Sequence, residues 1–271
     1  METDSGKKSL LEKGAAEVDC LCMEGGKAAA AKVCLPREVQ LTINVNAVPL
    51  MRVVCTPHNL RALVLGFLFL EGVISGVEDV ELMRVCDEDV MAEVRLRKGI
   101  EVAEQGRVLT SDCGSMKLAQ QSLGKVSAEL KVTCEQVRGL MKAFRRRAVL
   151  YRASGGVHCC ALATPDKIVV VCEDISRHSA LAKTAGVALL QGIKTADKLL
   201  LATGRVSSEM VVWAVRLGVG ITVTRRIPTD KALNLAEEAG VTLVGRAITR
   251  RLCIYTHPER IEGAADEQGV A

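Results

Sequence analysis

Apolar and polar residues alternate through "VQLTINVNAVPLMRVVC" (39–55), on either side of Asn46, and this period of two predicts a β-hairpin. The next stretch, "TPHNLRALVLGFLFLEGVI", drops the alternation. Leu60, Leu63, Leu65, Phe67 and Leu70 mark a buried helix that starts at Thr56-Pro57 and ends at Gly72. "MAEVRLRKGI" alternates again as a strand, and residues 105–117 form a loop. In "CEQVRGLMKAFRRR", Val137, Leu140, Met141 and Phe144 recur at helical spacing, with arginines in the last turn where they complement the helix dipole.

Beyond this point strand and helix patterns take turns. "HCCALATPDKIVVVCED" reads as a hairpin and "ISRHSALAKTAGVALLQ" as a helix. "KLLLATG", "ITVTR" and "VTLVGRA" read as strands, separated by the helices "SSEMVVWAVRLG" and "TDKALNLAEEAG". Strands separated by helices of this length predict a largely parallel sheet covered on both faces. The expected fold is α/β (α+β overall). A smaller β-rich N-terminal subdomain over 37–140 precedes a three-layer α/β domain over 141–260. A flexible segment at 1–36, without clear periodicity, and a flexible tail at 261–271 complete the chain.

Composition narrows this picture. Of the 271 residues, 49% are hydrophobic and only 2% aromatic, so the core is built mainly from Val, Leu, Ala and Ile. The longest apolar run, Ala62 to Leu70, falls far short of the ~20 residues of a spanning helix. The polar N-terminus lacks the apolar stretch of a secretory signal. A cytoplasmic protein without a membrane segment is expected. Eleven cysteines are an odd number, and most lie in apolar runs such as those at Cys55, Cys172 and Cys253, so they read as reduced, buried small hydrophobes. "CLC" (Cys20, Cys22) has no second pair nearby and is weak as a metal site. The net charge of +4 is too small to argue for nucleic acid. Basic clusters at Arg145–Arg147, Arg225–Arg226 and Arg246, Arg250, Arg251 suit an anionic small molecule, although each cluster alone reads as a solvated helix end.

In open α/β sheets ligands gather beyond the carboxyl ends of the strands. Three such junctions are polar here: "CEDISRHSA", "TGRVSSE" and "RRIPTD". Arg177 and His178 fall in the first turn of a predicted helix, where positive side chains oppose the dipole unless an anion sits there; local packing of His178 is the other reading. In the second junction Gly204 follows a strand. Ser207 suits an N-cap, Glu209 matches the dipole, and Arg205 has no structural reason. Thr229 belongs to the third junction. "GGVHCC" allows close backbone approach, with His158 beside Cys159 and Cys160. No GxxxxGK[ST], and no GxGxxG between a strand and a helix, is present, which argues against Walker-type and Rossmann sites.

Taken in order, "LTINVNAVPLMRVVCTPHNLRALVLGFLFLEGVI", "VHCCALATPDKIVVVCEDISRHSALAK", "LLLATGRVSSEMVVWA" and "IPTDKALNLAEEAGVTLVGRA…CIYTH" resemble the FdhD (NarQ) family of formate dehydrogenase accessory sulfurtransferases. The resemblance implies a large domain of cytidine-deaminase-like fold without the zinc site, and the chain has no H-x-E with P-C-x-x-C. It implies sulfur taken as a persulfide from a cysteine desulfurase and passed to the molybdenum (or tungsten) bis-guanine-dinucleotide cofactor of formate dehydrogenase. It also implies a homodimer. Carried onto this chain, the sulfur-bearing thiol is Cys113, in "TSDCGSMK". The cofactor contacts fall among His158, Arg177, His178, Gly204, Arg205, Ser207, Glu209 and Thr229. No intrinsic metal is expected.

The chain departs from the family pattern in places. The loop usually reads C-G-x-C, and here it reads Cys113-Gly114-Ser115-Met116. One thiolate suffices to hold a persulfide, but a thioether cannot resolve it through a disulfide. Ser176, Ser179 and Ala182 stand where glycine, asparagine and aspartate are usual. Cys159 and Cys160, beside His158, are the runner-up thiols. The alternative function is a chaperone that holds the same dinucleotide cofactor without transferring sulfur.

Overall fold

The computed structural model describes residues 4–86, 90–98, 107–109, 124–127, 129–248 and 251–264. Helix α1 (Asp4–Gly14) leads into a hairpin of β1 (Ala15–Glu24) and β2 (Lys27–Pro36). The elements β3 (Val39–Val45), β4 (Val48–Cys55), α2 (Leu60–Leu70), β5 (Val80–Cys86), β6 (Met91–Leu96) and β7 (Arg107–Leu109) follow. After β8 (Val132–Thr133), α3 (Cys134–Arg147) and α4 (Val149–Ser154) come β9 (His158–Ala163), β10 (Ile168–Asp174) and α5 (Arg177–Leu190). The chain closes with β11 (Leu199–Ala202), α6 (Ser208–Arg216), β12 (Ile221–Thr224), α7 (Asp230–Ala239), β13 (Thr242–Gly245), β14 (Cys253–Ile254) and β15 (Ile261–Glu262). None of the described helices is long and apolar enough to cross a membrane.

Two sheets carry the fold. A five-stranded sheet has the order β5-β6-β3-β4-β7 and a six-stranded sheet the order β10-β9-β11-β12-β13-β14. The larger sheet is mixed rather than largely parallel. Only β11-β12-β13 run parallel, while β9, β10 and β14 pair antiparallel. The physical reason is loop length: the few residues between β9 and β10 close a hairpin, whereas parallel neighbours need a crossover such as α6 or α7.

Both faces of the larger sheet are buried. Cys160, Leu162, Leu200 and Leu243 join a core with α2, α5, α6 and α7, and Cys159, Ala161, Leu199, Leu201, Ile221 and Val223 join a second one with α3. The first core also takes Leu41, Ile43, Val53 and Val94 from the smaller sheet, so the expected boundary near residue 140 is not a break in packing. α2 and α5 meet there backbone to backbone. A Cβ on Gly66 would stand 1.8 Å from the Ala182 carbonyl oxygen, and one on Gly186 1.8 Å from that of Ala62. Only glycine permits that approach.

Three further expectations change. Residues 4–36 carry a helix and a hairpin of two ten-residue strands rather than a segment without regular structure, because Gly25 and Gly26 both take positive φ and turn the chain back on itself. Ile261 is buried and pairs with Val132, which ties down the start of the expected tail. Helix α2 begins at Leu60 rather than at Thr56, because Thr56 gives its amide and hydroxyl to the buried carboxylate of Asp174 at 3.1 and 3.0 Å.

Candidate functional site

The parallel strands β11, β12 and β13 release their chains at one edge of the sheet, and the loops there are short and polar. Thr203-Gly204-Arg205 follows β11, Arg225-Arg226-Ile227 follows β12 and Arg246 follows β13. The antiparallel β9 starts at the same edge, so Gly155-Gly156-Val157 and His158 arrive beside them, and Arg177 opens α5 after β10. Together these residues and Tyr151 line a cavity of about 840 Å³. Its described lining holds Arg177, Arg205, Arg225, Arg226 and Arg246 and no aspartate or glutamate.

The loops that carry these arginines are fixed by hydrogen bonds of their own amides. Arg225 donates its amide to the Ala202 carbonyl at 3.1 Å, Arg246 to that of Arg226 at 2.8 Å, and Arg226 to the Thr224 hydroxyl at 3.0 Å. The Arg225 guanidinium lies 5.8 Å from the centre of the Tyr151 ring and bonds its hydroxyl. The Nε of Arg177 is buried with no hydrogen-bond partner. Gly204 lets the loop pass close to its neighbours: a Cβ there would meet His158 Nδ1 at 3.1 Å and Arg177 Cβ at 3.4 Å. Burial, followed by the Arg177 charge, pushes the His158 imidazole below its ordinary pKa, so it is neutral among cations. An orphaned buried guanidinium N–H on Arg177 and a cluster of arginines form a site complementary to a polyanion.

Of the residues singled out in the sequence, His158, Arg177, Gly204 and Arg205 line this cavity. His178, Ser207, Glu209 and Thr229 are not among its lining residues. His178 turns inward, packs edge-on to Trp213 at 5.6 Å and places Nε2 3.0 Å from Glu209 Oε2, without hydrogen-bond alignment. That is the local-packing reading of His178. Thr229 caps α7 by accepting from the Ala232 amide at 3.3 Å. Ser207 occupies the N-cap position of α6, but its hydroxyl makes no capping bond and stays buried without a partner. Cys113 and Met116 lie outside the described residues.

Cys159 and Cys160 are not activated by the adjacent histidine. Both are buried in the sheet, and burial pushes both thiols far above the ordinary range, with the nearby Glu173 carboxylate adding to the effect at Cys159. Glu173 itself accepts the amides of Val149, Leu150 and Tyr151 at 2.9, 2.9 and 2.7 Å, which fixes α4 and with it the Tyr151 wall of the cavity. The sequence placed Arg225 and Arg226 at the polar junction after "ITVT" but named Arg246 only in a basic cluster, and it gave no sign of Tyr151. Arg246 directly follows β13, and that is the signal that could have grouped it with the other two.

Comparison with known proteins agrees with this architecture. The model of the FdhD/NarQ family matches residues 36–262. A protein named "Sulfur carrier protein FdhD" from Geobacillus kaustophilus is 39% identical over 236 residues, covering 83% of this chain and 88% of that protein. Its namesake from Halalkalibacterium halodurans is 37% identical over 239 residues, covering 83% and 87%. Among solved structures, the "putative formate dehydrogenase accessory protein from Desulfotalea psychrophila" superposes with a TM-score of 0.75 at 22% identity, over 92% of this chain and 99% of that one, and so shares the fold.

Proposed function

This chain belongs to the FdhD/NarQ family, and from that premise we propose that it is a cytoplasmic sulfur carrier serving formate dehydrogenase. The thiolate of Cys113 attacks the outer sulfur of a cysteine desulfurase persulfide. The desulfurase thiolate leaves, and Cys113 keeps the sulfur as its own persulfide. The substrate that receives it is the molybdenum or tungsten bis-guanine-dinucleotide cofactor. Delivery as sulfide needs two electrons, which a metal centre can supply on going from the +4 to the +6 state.

The observation that carries the reading is the arginine-lined cleft. A cofactor with two pyrophosphates places its anionic oxygens where Arg177, Arg205, Arg225, Arg226 and Arg246 converge, beside the neutral His158. Gly204 leaves the backbone free to approach it, and the unpartnered Arg177 Nε supplies a donor. His178 and Glu209, paired behind the cleft, position the first turns of α5 and α6. A homodimer is the assembly we expect.

Intact-protein mass spectrometry tests the proposal after incubation with a cysteine desulfurase and L-cysteine. A gain of one sulfur that reductant removes, present in the wild type and lost in Cys113→Ala, is the expected result. The same gain in both proteins would remove Cys113 from the mechanism. No gain in either, with guanine nucleotide still bound, would leave the chain as a holder of the cofactor.

A further inference from the structure

The amino-terminal hairpin lies ahead of the family-matched stretch and contributes nothing to the lining of the cleft. Only its base packs on the body. Ala15 is buried with Leu150 and Val157, and Pro36 lies against Gly156, where an added Cβ would come within 3.1 Å of the proline ring. Gly156 also lines the cleft, so β1 and β2 form an arm rooted at the cleft's rim. Beyond that root most of the arm faces solvent.

Strand alternation puts Cys20 and Cys22 on one face of the arm. Their sulfurs are 3.6 Å apart, and Cys22 is exposed. Directly across the hairpin stand the small side chains of Ala31 and Ala29, and Cys20 is half-buried. At ~3.3 Å of rise per residue the pair stands roughly 16–23 Å out from the root. Two strand steps separate the Cα atoms by ~6.6 Å, near the upper limit a disulfide spans, so a bond between these sulfurs forms under strain and is readily reduced. Among the described residues no group of three or more His, Cys, Asp or Glu could hold a metal ion, which favours redox chemistry over metal binding.

We propose that Cys20 and Cys22 form a dithiol–disulfide couple that takes the outer sulfur from a persulfide and releases it as sulfide. The Cys22 thiolate attacks the outer sulfur; the donor's S–S bond breaks, the donor leaves as a thiolate and Cys22 becomes a persulfide. The Cys20 thiolate then attacks the Cys22 sulfur, forming the Cys20–Cys22 disulfide and expelling HS⁻ with the electron pair. The two thiols are oxidised by two electrons and the sulfane sulfur is reduced by two. An external dithiol reductant restores the pair. That substrate rests on the sulfur-carrier reading, and it fits a loop with Met116 in place of a resolving cysteine.

The test uses the full chain carrying Cys113→Ala, so that loading of Cys113 plays no part and its failure would not be mistaken for failure of the arm. The reduced protein is mixed with glutathione persulfide, sulfide is measured, and free thiols are counted by alkylation and intact mass. Sulfide release should accompany the loss of two alkylatable thiols. It should fall at least tenfold on Cys20→Ser or Cys22→Ser, and stay unchanged on Cys34→Ser, which alters a thiol on the opposite face of the same arm. Unchanged sulfide release in both arm variants, or release without loss of thiols, would overturn the proposal.

Discussion

Arg177 and Lys183 lie less than two turns apart on α5, and their surroundings are opposite. Lys183 is fully buried, and its ammonium reaches Asp174 Oδ2 at 2.7 Å and the hydroxyl and carbonyl of Thr56 at 2.9 and 3.0 Å. Asp174 in turn accepts the Thr56 and Ser176 amides. The donors and acceptors of this cluster answer one another, and it stitches α5 to β4 and β10. Arg177 points into a cleft where its described charged neighbours are other arginines, and its buried Nε has no partner. A fully paired buried charge is structure, whereas arginines clustered at strand ends suit an anion.

Breaking the paired side should have the largest effect. Lys183→Met leaves Asp174 as an uncompensated buried charge and should cost about 3–5 kcal/mol of unfolding free energy in a denaturant titration. Adding Asp174→Ala should recover only part of it, since the Thr56 and Ser176 amides then lose their acceptor. Breaking the open side should spare stability and remove binding. Arg205→Ala with Arg226→Ala should weaken guanosine diphosphate binding about a hundredfold by calorimetry, at ~1.5 kcal/mol or more for each charge-assisted hydrogen bond. Their melting temperature should hold or rise as like charges separate.

The third effect is smaller and sharpens the same contrast through pH. Burial, with the Lys183 charge adding to it, pushes His58 down to about 2, so the folded protein keeps it neutral. In the unfolded chain the imidazole takes up a proton below ~6.5, so the unfolded state binds more protons and stability falls as pH falls from there. At one proton per unit of pH this amounts to ~2 kcal/mol by pH 5. His58→Asn should flatten the pH 7 to 5 limb of the stability profile by about that amount, and an unaltered slope would place the acid sensitivity elsewhere.

Much of the fold was legible along the chain because its elements are strongly periodic. The β3–β4 hairpin turns at Asn46, where the alternation changes, and β11 through β13 appear with their intervening helices. Arg205 stood out as a residue without a local structural purpose, beside Gly204 after its strand. The β1–β2 arm was missed because its alternation is short and its second strand opens on an alanine run without period, although the pairing puts Val18, Cys20 and Cys22 opposite Val33, Ala31 and Ala29 on one face. Ser207 was read as a cap because its position is right; the direction of its hydroxyl is settled by packing.

The order of strands and helices, the polar junctions and the family motifs follow from local pattern, since period and turn chemistry act over a few residues. Which charges are paired and which thiols are inert depends on contacts between distant parts of the chain. Thr56 reaches Asp174 and Lys183 across more than a hundred residues, and Cys159 is silenced by the sheet around it rather than awakened by His158 beside it. Desolvation and distance set the state of an ionisable group, and only the folded arrangement supplies both.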